Sequence, residues 1–312
     1  MTLFHLLTEG TRALQLSGNP DAKNDAQQLL LAAFHLDMVH FLLNRMQELE
    51  PNEYNQSCMD LYHKMIDKRK RRFPLQQILG CQEFMGLNFY VNKHVLIPRQ
   101  DTETLVELVL EEQCDPEKKV LDVCTGSGCI AISLAVKGGY ASVTAADISE
   151  EALKVARRNA AALECEDRMQ FCQGDLFGAL EANAQAANVP EDSAAAADVD
   201  QAIAVTGEPE FDIITSNPPY IPTAVIRTLE PEVRDHEPIL ALDGTEDGLH
   251  YYRRIAVEAG RYLKAGGSIY LEIGHDQGQA VSGLLRNAGF QNVRVCKDLP
   301  GKDRVVCAVW PG

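Results

Sequence analysis

The strongest constraint on the fold is a regular alternation of strand-like and helix-like segments that begins after Pro98. Short runs of branched apolar residues, such as "KKVLDVC", "SVTAAD" and "FDIITSN", alternate with amphipathic stretches such as "SEEALKVARRNAAAL". Strands joined through helices run parallel, and a parallel sheet is covered on both faces. The last two predicted strands, "QNVRVCKD" and "RVVCAVW", are separated by a short link at Leu299-Pro300-Gly301 and should form an antiparallel edge pair.

Two other patterns precede this region and divide the chain into domains. Residues 1–80 carry apolar side chains at helical spacing, which predicts a small N-terminal helical bundle. Residues 81–98 are rich in aromatic and β-branched residues and predict a β-hairpin linker, with Asn92-Lys93 as its turn. The α/β domain then occupies residues 99–312.

The charge of the chain limits its partners. The formal net charge is −16 at pH 7, and binding to a phosphate backbone needs a positive face, so we expect no direct nucleic-acid binding. Residues 178–210 carry seven acidic residues, no basic residue and many alanines, which predicts a mobile surface insertion. The basic run "KRKRR" at 68–72 indicates either a solvated helix end or a contact for an acidic face of a substrate protein.

The cysteine usage and the hydropathy of the chain indicate its cellular compartment. The nine cysteines occur singly, without Cys-x-x-Cys pairs or zinc-like histidine spacing, so we expect reduced thiols and no metal site. No apolar run approaches the roughly 20 residues of a membrane span. The N-terminus also lacks the basic start and apolar core of a signal peptide. These features predict a cytoplasmic protein that contacts no membrane. We also expect the protein to be a monomer.

The stretch "LDVCTGSGCIA", residues 121–131, places a glycine turn between a strand and a helix. Gly126 and Gly128 let the backbone turn tightly and approach a ligand closely. Asp147 ends the next strand, where a carboxylate can accept both hydroxyl hydrogens of a ribose. Together these features indicate an adenosine-containing cofactor. The alternative is a tight turn with no ligand, and the glycine spacing alone would also fit a dinucleotide.

Two later strand ends narrow the choice of cofactor. Asp175-Leu176-Phe177 follows the third strand and offers a carboxylate and apolar side chains to flank an adenine ring. Asn217-Pro218-Pro219-Tyr220 follows the fourth strand, where ligands bind in open α/β sheets. A dehydrogenase has no evident use for that tetrapeptide, whereas a methyltransferase acting on a planar amino group does.

The tetrapeptide suits a planar amino group because the nitrogen lone pair of such a group is delocalised. To turn it toward a methyl donor, two acceptors must hold both N–H bonds at about 3 Å. The Asn217 side-chain oxygen and the Pro218 carbonyl can supply them, since prolines stiffen the backbone. Tyr220 can stack on the flat group. The alternative is a proline-rich strand exit without chemistry.

These motifs resemble those of S-adenosylmethionine-dependent methyltransferases of exocyclic or amide nitrogens, which share "SNPPY". Over residues 74–309 the chain more specifically resembles the release-factor glutamine methyltransferases, the PrmC/HemK family. The matching stretches are "PLQQILGCQEFMGLNFYVNKHVLIPRQDTETLVE", "LDVCTGSGCIAISLA", "ADIS", "GDLF", "SNPPYIP", "HEPILALDGTEDGLHYYRRI", "LEIGHDQG" and "DLPGKDRVV". The chain departs from the family pattern in its long acidic insertion and at Gln100, where the family commonly has proline.

The resemblance implies a Rossmann-like class I methyltransferase domain with a mixed seven-stranded sheet, preceded by a helical domain that recognises the substrate. It implies methylation of the side-chain amide nitrogen of the glutamine in the Gly-Gly-Gln motif of peptide-chain release factors, which affects translation termination. The implied methyl donor is S-adenosyl-L-methionine, with S-adenosyl-L-homocysteine as product.

The resemblance also implies roles for single residues. Asp147 would hold the ribose, Leu176 would lie at the adenine, and Asn217 would face both cofactor and substrate. The implied cofactor-binding residues are Cys124, Thr125, Gly126, Ser127, Gly128, Asp147, Leu176 and Asn217. The implied substrate-binding residues are Asn217, Pro218, Pro219 and Tyr220, of which Asn217, Pro218 and Tyr220 are the catalytic ones.

Other activities stay open on sequence grounds. A ribosomal-protein glutamine is an alternative substrate, and adenine-amino DNA methylation is less favoured because it predicts a basic target-recognition domain. A cofactor-binding module without catalysis conflicts with the intact tetrapeptide, and a dehydrogenase lacks a second catalytic constellation. Arg99, Asp101 and Glu103 either line the cofactor pocket or cap the following helix. His275 is predicted to be a surface or packing residue.

Overall fold

A computed structural model of the chain describes residues 1–181 and 210–312. The predicted insertion at 178–210 lies outside the described residues except at its two ends. The chain forms two compact units. The first consists of Met1–Cys81 with Leu229–His236, and the second consists of Gln82–Thr228 with Glu237–Gly312.

The described residues contain the following elements. The helices are α1 (Leu3–Leu16), α2 (Ala22–Phe34), α3 (Met38–Asn44), α4 (Glu53–Lys70), α5 (Leu75–Leu79), α6 (Gln100–Glu112), α7 (Cys129–Ser133), α8 (Glu150–Ala162), α9 (Thr223–Ile226), α10 (Pro231–His236), α11 (His250–Glu258) and α12 (Gly278–Asn287). The strands are β1 (Cys81–Phe84), β2 (Leu87–Tyr90), β3 (Lys119–Val123), β4 (Ser142–Asp147), β5 (Met169–Gln173), β6 (Phe211–Ser216), β7 (Leu263–Glu272), β8 (Gln291–Lys297) and β9 (Asp303–Val309).

The first unit is helical, as the spacing of its apolar residues predicts. Leu6 of α1, Leu29 of α2 and Tyr62 of α4 are fully buried in one core. Gly10 allows α1 and α4 to approach closely, because a Cβ at this position would lie 2.0 Å from the Tyr62 hydroxyl oxygen. The Tyr62 hydroxyl instead donates to the Leu6 carbonyl at 3.2 Å.

A segment from much later in the sequence completes this helical unit. Arg69 Nε lies 2.6 Å from Asp25 Oδ2, and its Nη1 lies 2.6 Å from Glu232 Oε1. Arg72 Nη2 lies 2.6 Å from Glu232 Oε2. Arg69 is buried because it follows Tyr62 and Ile66 on one face of α4. The basic run at 68–72 is therefore divided: Arg69 and Arg72 pair inside the unit, while its other three residues are exposed.

The predicted hairpin is present, but its turn is not at Asn92-Lys93. Strands β1 and β2 form a two-stranded sheet whose turn is Met85-Gly86. Both turn residues have positive φ, 52° and 68°, as the tight hairpin turns that match strand twist require. Asn92 instead forms a local turn after β2, with its Oδ1 accepting from the His94 N–H at 2.9 Å.

The second unit contains, within its described residues, a mixed seven-stranded sheet in the order β5-β4-β3-β6-β7-β9-β8. The pairs from β5 to β7 are parallel, and β9 pairs antiparallel with both β7 and β8. The predicted fold class is confirmed, including the antiparallel edge hairpin around Leu299-Pro300-Gly301.

Alternate residues of each central strand enter two different cores. Leu121 and Val123 of β3 pack in the core that contains Tyr252 of α11 and Val281 of α12. Val120 packs on the other face. That second core contains apolar residues of α6, α7 and α8, with Leu105, Val106, Val109, Ile130, Ala131 and Ala160 among them. Helices thus cover both faces of the sheet, which leaves the ends of its strands as the place for a ligand.

Among residues 1–181 and 210–312, no single helix is long and apolar enough to cross a membrane. Helices α2 and α3 are long and apolar enough only when they are taken together, and they are bent by 91° at the break between them.

Candidate functional site

The register of the parallel sheet places Cys124, Asp147 and Asn217, three of the predicted site residues, in one row. Val123 of β3 pairs with Ala146 of β4 and with Ser216 of β6, and Ser216 pairs with Leu271 of β7. Each of these four residues lies one position before the edge. The next residues along the four strands are Cys124, Asp147, Asn217 and Glu272. Because parallel strands end at the same edge, these four lie side by side at the carboxyl end of the sheet.

The glycine turn after β3 has the backbone that the sequence predicts. Gly126 and Gly128 have φ of 57° and 80°, and Cys124 also has a positive φ of 61°. A Cβ at Gly128 would lie 2.8 Å from Ile132 Cδ1 and 3.1 Å from Ala156 Cβ. A Cβ at Gly126 would meet nothing within 4 Å. Gly128 thus serves packing and conformation, whereas Gly126 serves conformation and faces open space.

A buried carboxylate supports this turn from below. Asp122 is fully buried, with its Oδ2 accepting from Thr125 Oγ1 at 2.7 Å and its Oδ1 from Thr215 Oγ1 at 2.8 Å. Burial raises the pKa of Asp122 to about 7, although the bonds from the two threonines act in the opposite direction. Asp122 thus ties the turn to the neighbouring strand β6.

We predict that this carboxyl group makes stability depend on pH. Its pKa is raised in the folded state, so the folded protein binds a proton that the unfolded chain releases above about pH 4. Its contribution to the free energy of unfolding therefore falls as pH rises from about 4 to about 7. The Asp122→Asn variant should gain stability relative to the natural chain across that window, as measured by urea unfolding at several pH values. A difference that stays constant from pH 4 to 8 would refute this role.

Asp147 lies beside the glycine turn and holds it. Its Oδ2 accepts from the Gly126 N–H at 2.8 Å, and its Oδ1 accepts from the Ser149 N–H at 2.9 Å. Burial raises its pKa, while these backbone hydrogen bonds lower it. Each carboxylate oxygen keeps a lone pair for a further donor. The carboxylate is therefore positioned on the turn and still able to accept hydrogen bonds from a ligand.

One cavity at the sheet edge collects most of the predicted cofactor residues. It is lined by Cys124, Thr125, Gly126, Ser127, Asp147, Leu176, Asn217 and Pro219, all from the second unit. Gly128, Pro218 and Tyr220 are not among its lining residues. Burial raises the pKa of the Cys124 thiol far above its usual range, so this sulfur is neutral in the cavity.

The loop after β6 is fixed at both ends. Ser216 Oγ donates to the Val123 carbonyl at 2.7 Å, and Asn217 Nδ2 donates to Thr102 Oγ1 at 3.4 Å. At the far end, Gln277 Nε2 donates to the Tyr220 carbonyl at 3.1 Å. A Cβ at Gly248 would lie 2.3 Å from that same oxygen, so only glycine fits there. Burial, followed by the charge of Glu272, raises the pKa of Tyr220 to about 12.

The cavity also contains residues that the sequence did not indicate. Thr102 of α6, Ile148 after β4 and Tyr251 of α11 line it. Ile148 is 48% exposed, so its side chain offers apolar surface to the cavity. The one sequence signal for Ile148 is its position directly after Asp147. Thr102 and Tyr251 come from helices whose packing on the sheet brings them near.

The residues with two open interpretations now have definite positions. Arg99 lines the cavity, and its Nη2 lies 2.7 Å from both carboxylate oxygens of Glu237. Asp101 pairs with Arg304 at 2.9 Å. Glu103 accepts from the Met85 N–H in the hairpin turn at 2.5 Å. His275 is exposed.

Comparison with known proteins decides the family. A family model described as "Methyltransferase domain" matches residues 114–272, and one described as "PrmC N-terminal domain" matches residues 5–80. A release factor glutamine methyltransferase from Clostridium acetobutylicum is 42% identical over 289 residues, covering 92% of this chain and 91% of that protein. The chain belongs to the release factor glutamine methyltransferase family.

Other relatives give the same picture. A release factor glutamine methyltransferase from Geobacter sulfurreducens is 39% identical, covering 93% of this chain and 90% of that protein. A solved protein-(glutamine-N5) methyltransferase (release factor-specific) from Alicyclobacillus acidocaldarius is 30% identical and covers 72% of this chain and 100% of that chain, with a TM-score of 0.39. The matches to the two curated relatives and to the N-terminal family model confirm the family resemblance carried by "LDVCTGSGCIA", "SNPPYIP" and the flanking stretches.

Proposed function

We propose that this protein transfers a methyl group from S-adenosyl-L-methionine to the side-chain amide nitrogen of the glutamine in the Gly-Gly-Gln motif of peptide-chain release factors. The observation that carries the proposal is the row at the sheet edge, which sets Asn217 beside the glycine turn and Asp147 on one cavity. Family membership supplies the substrate class.

The residues present fit this cofactor. Open space at the Gly126 Cβ position lets a ligand approach the backbone there. Asp147 has free lone pairs for the two ribose hydroxyls, and Leu176 and the half-exposed Ile148 offer apolar surface to an adenine ring. Cys124, Thr125 and Ser127 would complete the wall, with Gly128 maintaining the turn behind it. When bound, the cofactor supplies an electrophilic methyl group on a sulfonium.

The protein's own contribution is orientation. Asn217 Oδ1 and the Pro218 carbonyl would accept hydrogen bonds from the two N–H groups of the substrate amide. These bonds would direct the nitrogen lone pair toward the methyl donor. The prolines fix the backbone that presents the carbonyl, and Gln277 and Gly248 fix the end of the loop. Pro219 would shape the wall beside the substrate and Tyr220 would form a flat contact. The neutral Cys124 thiol is not a nucleophile, so no covalent enzyme intermediate is required. The substrate nitrogen becomes acidic as it is alkylated and would release its proton to water.

The proposal extends to partners. The substrate is a protein, recognised in part by the helical unit, and we expect the enzyme to act as a monomer without direct nucleic-acid contact. Since release factors act on ribosomes, the proposal also carries the predicted cytoplasmic location.

A single transfer assay tests the function. The full-length protein is incubated with radiolabelled S-adenosylmethionine and, separately, purified release factor, ribosomal proteins and duplex DNA. We expect label in the release factor alone, and no label when the glutamine of its Gly-Gly-Gln motif is replaced by alanine. Label in ribosomal protein or in DNA would establish one of the alternative substrates, and label in none would refute the proposal.

A further inference from the structure

Glu272 is a buried acid directly beside the catalytic loop. It ends β7, one residue after Leu271, whose register partner Ser216 precedes Asn217. Glu272 is only 1% exposed, does not line the cavity, and its Oε2 is buried without a hydrogen-bond partner. A carboxylate at such a position costs stability, whereas an apolar side chain would fit without that cost. Packing alone therefore does not explain a glutamate at this position.

The neighbours of Glu272 define a hydrogen-bond relay. The Thr102 hydroxyl and the Asn217 amide both stabilise the charged carboxylate, Thr102 more strongly. Asn217 Nδ2 in turn donates to Thr102 Oγ1 at 3.4 Å. Because a carboxylate only accepts, the Thr102 hydroxyl can donate to Glu272 while its own oxygen accepts from Asn217. This arrangement fixes which end of the asparagine amide faces inward.

We propose that Glu272 is a positioning residue for the transfer: through Thr102 it holds the Nδ2 end of Asn217 inward, so that Oδ1 faces the substrate amide. The inference rests on the proposed function, because Oδ1 is the atom assigned to the substrate N–H. Without the acceptor at 272, the Thr102 hydroxyl is free to donate to Oδ1 instead. The amide would then present its NH₂ group to the substrate, two donors would face each other, and transfer would slow.

The ionisation of Glu272 links this relay to pH. Burial raises the pKa of Glu272 to about 7, against the effects of Thr102 and Arg304. Arg304 of β9, which is paired with Asp298, and Asp101 of α6 both act on the charge of Glu272. Tyr220 of the loop, Tyr252 of α11 and Cys129 of α7 in turn feel the charge of Glu272. Below its pKa the carboxyl group becomes neutral and can itself donate. Transfer should therefore fall as pH drops through about 7.

A double-mutant cycle on the full-length protein tests the relay. Methyl transfer is measured under saturating cofactor for the natural chain, Glu272→Gln, Asn217→Ala and the double variant. We expect Glu272→Gln to lower kcat about tenfold with KM for the release factor and affinity for S-adenosylhomocysteine unchanged. In the Asn217→Ala background the same change should have no further effect, because the atom it positions is gone. The control Glu258→Gln removes a carboxylate whose pKa is also raised by burial, outside the relay, and should leave kcat unchanged.

The pH profile separates positioning from a purely structural role. The inflexion near pH 7 should disappear in Glu272→Gln and persist in Asp122→Asn, whose acid has a similar pKa but touches the turn instead. If the release factor is labelled but the effects of the two substitutions are additive, or if the inflexion is unaltered in Glu272→Gln, the positioning role is overturned. The proposed function then still holds. Label only in another substrate would overturn the proposed function, and the cycle is then measured on that substrate. No label in any substrate overturns both.

Discussion

Replacing Asn217 by alanine should reduce methyl transfer about 100- to 1,000-fold while leaving cofactor binding nearly intact. The range is that typical of removing one preorganised hydrogen-bonding group from a catalytic site. Asn217 lies at the edge row next to Cys124, but its amide is bonded to Thr102 and not to the glycine turn. Its loss should therefore remove an acceptor for the substrate N–H without moving the turn. The measurement is single-turnover transfer to purified release factor.

Calorimetric titration with S-adenosylhomocysteine provides the second readout for this variant. Asn287→Ala, an exposed asparagine at the end of α12, makes the same chemical change outside the site and should behave like the natural chain. A large loss of cofactor affinity in Asn217→Ala would assign Asn217 to the cofactor instead of the substrate. Retained transfer would remove it from the chemistry altogether.

Replacing Asp147 by asparagine should weaken cofactor binding roughly 10- to 100-fold. An ionised carboxylate accepts from both ribose hydroxyls, whereas an asparagine offers one acceptor and one donor. The loss of one charge-assisted bond costs about 1.5–3 kcal/mol, and 1.4 kcal/mol corresponds to a tenfold change in affinity. The variant also loses part of the anchor for the Gly126 N–H. The dissociation constant for S-adenosylhomocysteine, measured by calorimetry, checks the prediction.

Glu151→Gln is the matched control for Asp147. It removes one negative charge four residues away, from an exposed pair with Lys154 at 2.6 Å, and it does not line the cavity. We expect its affinity for the cofactor product to change less than about threefold, because a solvent-exposed charge is screened. Equal losses in both variants would show that Asp147 acts only through the general field and does not contact the ligand.

The parts of the site that could be predicted are those with a local signal. Gly126 and Gly128 mark the turn because the backbone there needs positive φ, and Asp147 and Asn217 are recognisable because each directly follows a buried strand. The period of two along β3 and β6 likewise fixes which side chains enter each core. Such features depend on a few neighbouring residues and can therefore be predicted from a short stretch of the sequence.

The remaining features depend on packing between distant segments. Thr102 reaches Asn217 across 115 positions of sequence because α6 packs against the sheet. The position of the hairpin turn is not evident from the sequence, because methionine does not favour the φ of 52° that Met85 adopts, whereas Asn92-Lys93 has the composition of a turn. The position of Glu272 next to Asn217 depends on the register between β6 and β7, which the sequence does not reveal.

The return of Leu229–His236 to the helical unit has a consequence for biosynthesis. Glu232, the partner of both Arg69 and Arg72, is translated roughly 150 residues after the helices, a delay on the order of 10 s at about 5–20 residues per second. Until then the emerging bundle holds Arg69 with Asp25 alone and leaves Arg72 without Glu232. The N-terminal unit therefore cannot reach its final set of ion pairs until the ribosome has passed the Asn217 loop, so its maturation is tied to synthesis of much of the second unit.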